Sequence, residues 1–211
     1  MNREDFLWSG PEREGPLLVL SHGSGAPMDS PFMNAIAEAF AQQGVRVARF
    51  EFPYMRERRE RGSRRPPNRQ PELLASWRAA AKALGPVERL FIGGKSLGGR
   101  MASMVADELG VAGLICMGYP FHPPGKPERT RTEHLKTLAT PCLILQGSRD
   151  PFGNPEDVAG YALSSQIALH WLEDGDHGWK PRVRSGFTLE HHIQDAARRG
   201  DRFIRAVTKG L

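Results

Sequence analysis

The chain has 211 residues, 39% of them hydrophobic and 25% charged, which excludes a disordered or collagen-like polymer and suits one folded domain spanning 1–211. No apolar run approaches the ~20 residues that span a bilayer, and Met1-Asn2-Arg3-Glu4-Asp5 opens no secretory signal, so a cytoplasmic protein without a membrane partner is expected. The formal charge is +5, yet residues 54–70 alone hold seven arginines and two glutamates; the excess sits in one expected Arg-rich surface loop rather than on a broad basic face, which speaks against nucleic acid as a partner.

Short apolar runs alternate with longer amphipathic segments along the chain. The run 17–21 reads as a strand, and helix 31–43 follows it, opened by Ser30-Pro31 and stopped by Gly44. A second strand at 45–50 precedes the Arg-rich loop and helix 71–84. Strand 89–92, helix 97–109 (closed by Gly110) and strand 112–117 come next, then helix 131–138 and strand 142–146. Asn154-Pro155-Glu156-Asp157 opens helix 155–164, and strand 167–172 and helix 188–208 finish the chain. Cys116 and Cys142 lie inside apolar strands and read as packing thiols. This order predicts a three-layer α/β/α sandwich on a mostly parallel sheet of about six to seven strands. Ligands of such sheets bind at the carboxyl ends of the strands, so functional residues are sought there.

After strand 89–92 comes Gly94-Lys95-Ser96-Leu97-Gly98. A serine on a sharp strand-to-helix turn needs glycine two residues to either side, because a side chain there collides with neighbouring backbone. Ser96 is therefore the candidate nucleophile, and the Leu97 N–H, at a helix N-terminus, a candidate oxyanion donor. A phosphate-binding loop would need glycine five residues before Gly94; position 89 is Arg, and strand-like residues follow it. Two later strand ends supply the partners a serine requires. Asp150 follows Leu143-Ile144-Leu145-Gln146, and His177 follows 167–172, with Asp174 and Asp176 as further acids nearby. The chain order Ser96, Asp150, His177 suits a base oriented by a carboxylate. Ser21-His22-Gly23-Ser24-Gly25-Ala26, after the first core strand, offers the second oxyanion donor at the Ser24 N–H, with Gly25 beside it and His22 bracing the loop.

These segments, with Gly147-Ser148-Arg149-Asp150-Pro151-Phe152-Gly153 and Gly175-Asp176-His177-Gly178, resemble the α/β-hydrolases over about residues 16–210, in particular the small lidless branch near dienelactone hydrolases. The resemblance implies a serine hydrolase for a small-molecule carboxylic ester or thioester. Dienelactone hydrolases carry a cysteine nucleophile where this chain has Ser96, so their substrate does not transfer. Only 16 residues precede Leu17, leaving room for at most one opening strand at 6–9, and the 24 residues between Met117 and Cys142 are too few for a cap domain.

An open pocket is expected, with Gly25, Tyr119 and Phe121 facing substrate. The Arg-rich loop also emerges on that side, either as a partial lid recruiting an anionic group or as a solvated charge run. No metal or organic cofactor is expected, since the histidines and acids show no ligand spacing. A non-catalytic binding or scaffold protein on the same fold is the alternative reading.

Overall fold

The computed structural model describes residues 1–12, 15–62 and 65–210. The strands are β1 (Leu7–Ser9), β2 (Leu17–Ser21), β3 (Arg46–Phe50), β4 (Leu90–Lys95), β5 (Gly113–Met117), β6 (Cys142–Gly147) and β7 (Ile167–Leu172). They form one sheet in the order β1-β3-β2-β4-β5-β6-β7. β1 pairs antiparallel with β3, and every other pair is parallel. The helices are α1 (Pro31–Gln42), α2 (Pro53–Arg61), α3 (Gln70–Leu84), α4 (Leu97–Ser103), α5 (Ala106–Leu109), α6 (Pro155–Ala159) and α7 (Leu189–Lys209).

Both faces of the sheet are covered, which is why its central strands are apolar at nearly every position. Successive side chains alternate between two cores. Val19, Ile92, Leu114 and Ile144 face a core that includes Trp77 of α3 and Met101 of α4. Leu18, Phe91, Ile115 and Leu145 face the other, built with Ile36 and Phe40 of α1 and Ile193, Ala197 and Ile204 of α7. A Cβ at Gly200 of α7 would overlap the Phe40 ring, so this glycine sets the close approach of the two helices.

Four sequence expectations are corrected. Half of the expected Arg-rich loop is helix α2: Pro53 sits in its first turn and Gly62, at φ 65°, takes the left-handed position that closes it. Ser63 and Arg64, also assigned to that loop, lie outside the described residues. The helix expected over 97–109 divides into α4 and α5 around Met104 and Val105. The one expected over 131–138 is a 3₁₀ turn, Glu133–Lys136, and the segment between β5 and β6 carries no cap helices. The helix expected over 155–164 ends at Ala159.

Candidate active site

The chain leaves β4 through a strained turn. Ser96 has φ 49° and ψ −110°, a left-handed conformation that costs a non-glycine residue about 1–3 kcal/mol. Its N–H donates to the Met117 carbonyl at 2.9 Å, which ties the turn to β5. A Cβ at Gly94 and a Cβ at Gly98 would both overlap the Ser21 carbonyl oxygen at the end of β2, so the two glycines let the turn rest on the neighbouring strand.

Ser96, His177 and Asp150, drawn from three strand ends, meet above the sheet. Ser96 Oγ lies 3.0 Å from His177 Nε2, and His177 Nδ1 lies 2.8 Å from Asp150 Oδ2. Asp150 is fully buried. Its Oδ1 accepts the Phe152 N–H at 2.9 Å, and its Oδ2 also accepts Gln146 Nε2 at 2.9 Å. A carboxylate that only accepts assigns the proton to Nδ1 and leaves Nε2 as the acceptor facing Ser96. Phe152 packs on the imidazole with ring centroids 4.4 Å apart. The neighbouring acids are engaged elsewhere: Asp176 Oδ1 accepts the Gly178 and Lys180 N–H groups at 2.8 and 2.9 Å. Asp174 pairs with Arg182 and Arg149, and the Arg182 guanidinium holds its carboxyl down at about 2.

Two side chains that the sequence reading passed over support this line. Gln146, at the carboxyl end of β6, accepts the Tyr119 N–H at 2.6 Å while its Nε2 donates toward Tyr119 O and Gly153 O as well as Asp150. Lys95 Nζ donates to the His177 carbonyl and lies 5.6 Å from the Phe32 ring centroid. Burial pushes its pKa down to about 8, against the attraction of Asp150 and Asp176.

The Leu97 and Ser24 N–H groups donate to no acceptor among the described residues. The loop carrying Ser24 is held from outside. His22 Nδ1 lies 2.7 Å and Tyr54 Oη 3.3 Å from the Gly23 carbonyl, which shares its peptide plane with the Ser24 N–H. His22 Nε2 accepts the Phe52 N–H at 3.1 Å, so Nδ1 carries the proton, and burial lowers the ring's pKa and keeps it neutral. Arg58 donates to the Ser24 carbonyl at 3.2 Å. Arg59 bridges Asp29 at 2.8 Å and buried Glu51 at 2.7 Å, and Glu51 accepts the Met28 N–H at 3.3 Å. Arg58 and Arg59 of α2 are therefore tied to the loop at 23–29 and its neighbour Glu51.

A cavity of about 760 Å³ opens beside Ser96 and His177, walled by Gly25, Phe32, Met33, Lys95, Leu189 and Ile193. Ser24 and Gly25 border it, but Tyr119 and Phe121 do not. Gly118, at φ 60°, turns the chain directly after β5, and both aromatic rings are fully buried in the core beneath α4. The wall comes from α1 and α7 instead; Phe32 and Met33 directly after the Ser30-Pro31 cap were the available signal. Among the described residues, no group of three or more His, Cys, Asp or Glu could hold a metal ion, and no helix is long and apolar enough to cross a membrane.

The sequence profile of the alpha/beta hydrolase domain matches residues 14–205. Solved structures share the fold at low identity. Dienelactone hydrolase from Anabaena variabilis is 19% identical with a TM-score of 0.70, over 95% of this chain and 90% of its own. Est1E from Butyrivibrio proteoclasticus, with ferulic acid bound, is 18% identical with a TM-score of 0.69, over 97% and 95%. A serine hydrolase without a lid from Xanthomonas campestris is 21% identical with a TM-score of 0.60, over 92% and 88%.

Proposed function

The chain belongs to the alpha/beta hydrolase domain family, and on that footing we propose that it is a serine hydrolase cleaving a small carboxylic ester or thioester through an acyl-enzyme. The observation that carries this reading is the unbroken hydrogen-bonded line from Ser96 Oγ through His177 to buried Asp150, mounted on a strained turn.

Ser96 Oγ attacks the substrate carbonyl carbon as His177 Nε2 takes its proton. Asp150 stabilises the imidazolium and keeps the ring in the required tautomer. The developing oxyanion is received by the Leu97 and Ser24 N–H groups, each worth about 3–4 kcal/mol of barrier in sites of this kind. His177 then protonates the leaving alkoxide or thiolate, and the acyl group stays on Ser96. A water molecule, deprotonated by the same nitrogen, attacks the acyl carbon, and Ser96 leaves with the returned proton. Lys95 pins the backbone of His177 during both half-reactions. The apolar wall of Phe32, Met33, Leu189 and Ile193 suits an uncharged portion of a small substrate.

Steady-state kinetics on nitrophenyl esters and acyl thioesters of increasing chain length test the proposal. Turnover is expected for short and medium acyl chains, with kcat falling roughly 10⁴-fold or more in Ser96→Ala, His177→Ala and Asp150→Asn. Equal rates in the parent and Ser96→Ala would remove the proposed nucleophile.

A further inference from the structure

Arginines in this protein mostly have partners or stand in solvent. Arg56 pairs with Asp5, Arg59 with Asp29 and Glu51, Arg78 with Glu108, and Arg205 with Asp201. Arg100 on α4 and Arg131 in the segment after β5 follow neither pattern. Both are partly buried, and neither guanidinium has a carboxylate or hydrogen-bond acceptor among the described residues. The Nε of Arg100 is closed off from solvent with no hydrogen-bond partner among the described residues.

A polar network links the backbone carbonyls of the two arginines. Ser103 Oγ donates to the Arg100 carbonyl at 2.8 Å and lies 2.8 Å from His134 Nε2. Tyr119 Oη lies 3.5 Å from the same Ser103 oxygen and donates to the Arg131 carbonyl at 3.2 Å. Arg131 and His134 register the positive charge of Arg100. Burial and then repulsion from Arg100 lower the pKa of both Arg131 and His134, and Arg129 adds to the effect at Arg131. Tyr119 is neutral in this setting, burial having raised its pKa above the ordinary phenol value. The acid that His134 feels, Asp107, is engaged with the Ala139 and Thr140 N–H groups and the Thr140 hydroxyl at 2.6–2.9 Å. Two partly buried like charges with no carboxylate between them disfavour one another unless an anion joins them.

Arg100 stands four residues after Ser96, about 6 Å further along the axis of α4, and helical side chains lean toward the N-terminal end, here toward Ser96. We propose that Arg100 and Arg131 form a binding site for an oxyanion, a carboxylate or phosphoryl group, one helical turn from the nucleophile position. Guanidinium forks match both geometries. The anion is either the charged end of the substrate or a free phosphate-like ligand. The first source rests on the hydrolase reading; the second does not.

Calorimetric titration with inorganic phosphate and with succinate, at fixed ionic strength, tests the site without reference to activity. Saturable binding is expected in the parent chain, weakened at least tenfold in Arg100→Gln and Arg131→Gln and unchanged in Arg184→Gln, an exposed arginine. In anion-free buffer Arg100→Gln is expected to melt no lower than the parent, because it removes a partly buried charge that has no carboxylate partner among the described residues. No saturable binding, or binding that both variants retain, overturns the proposal. A second arm compares the 4-nitrophenyl monoester of succinic acid with 4-nitrophenyl butyrate. A lower KM for the charged ester, lost at least tenfold in Arg100→Gln, assigns the site to substrate. Phosphate binding without that dependence assigns it to a free anion. Phosphate binding by a chain that hydrolyses neither ester upholds the site and removes the hydrolase reading.

Discussion

Gln146 Nε2 and His177 Nδ1 converge on the same oxygen, Oδ2 of Asp150, at 2.9 and 2.8 Å. The carboxamide also accepts from Tyr119, so a single side chain ties the proposed acid to the segment leaving β5. Gln146→Met is expected to lower kcat about tenfold with KM unchanged. It is also expected to lose about 2–3 kcal/mol of stability, because the Tyr119 N–H is left buried without an acceptor. Urea unfolding and steady-state kinetics on one preparation check both effects.

The strain at Ser96 makes a prediction that separates two small residues. Ser96→Gly is expected to be more stable than Ser96→Ala by about 1 kcal/mol, since glycine alone enters the left-handed region freely. Chemical denaturation of the two variants decides it, and equal midpoints would remove the strain.

Lys95 gives a pH signature. Its folded pKa of about 8 lies below the ordinary 10.5, so between those values the unfolded chain binds the proton more tightly than the folded one. The penalty for burying the ammonium is present in full below pH 8 and fades as pH rises to 10.5. Lys95→Met is therefore expected to exceed the parent in thermal midpoint at pH 7, with the gap narrowing by pH 10. The same variant is expected to lose activity at every pH because the His177 carbonyl loses its donor. Melting curves across that range, read as the difference between the two proteins, test the sign.

The link from Arg58 to the Ser24 carbonyl gives helix α2 a place in the chemistry. Arg58→Met is expected to lower kcat about tenfold while leaving KM and the melting midpoint near the parent's, and Arg58→Lys to restore part of the loss. A change in KM alone would assign Arg58 to substrate capture instead.

The strands were readable as short apolar runs, continuous where both faces are buried as in 17–21; that run and the edge strand 167–172, in which only Leu172 is buried, match to the residue. Ser96, Asp150 and His177 were readable for a related reason: each follows such a run, where a parallel sheet gathers its loops. Helix α2 was hidden by its charge. Six of its nine residues are Arg or Glu, only Tyr54 and Met55 are buried, and no apolar period survives, although Pro53 and Gly62 marked both ends. Tyr119 and Phe121 were misplaced because a strand end tells where a loop emerges but not which side chains turn back into the core; that depends on the left-handed Gly118. Gln146 was passed over because a polar residue closing an apolar run reads as a boundary.

Intact-mass analysis after exposure to a fluorophosphonate tests an activated Ser96 most directly. A single adduct on the unmodified chain, absent from Ser96→Ala and from His177→Ala, is the expected result. A folded chain that takes up no adduct, or one whose adduct persists in Ser96→Ala, contradicts a catalytic Ser96 and points to a binding protein built on the same fold.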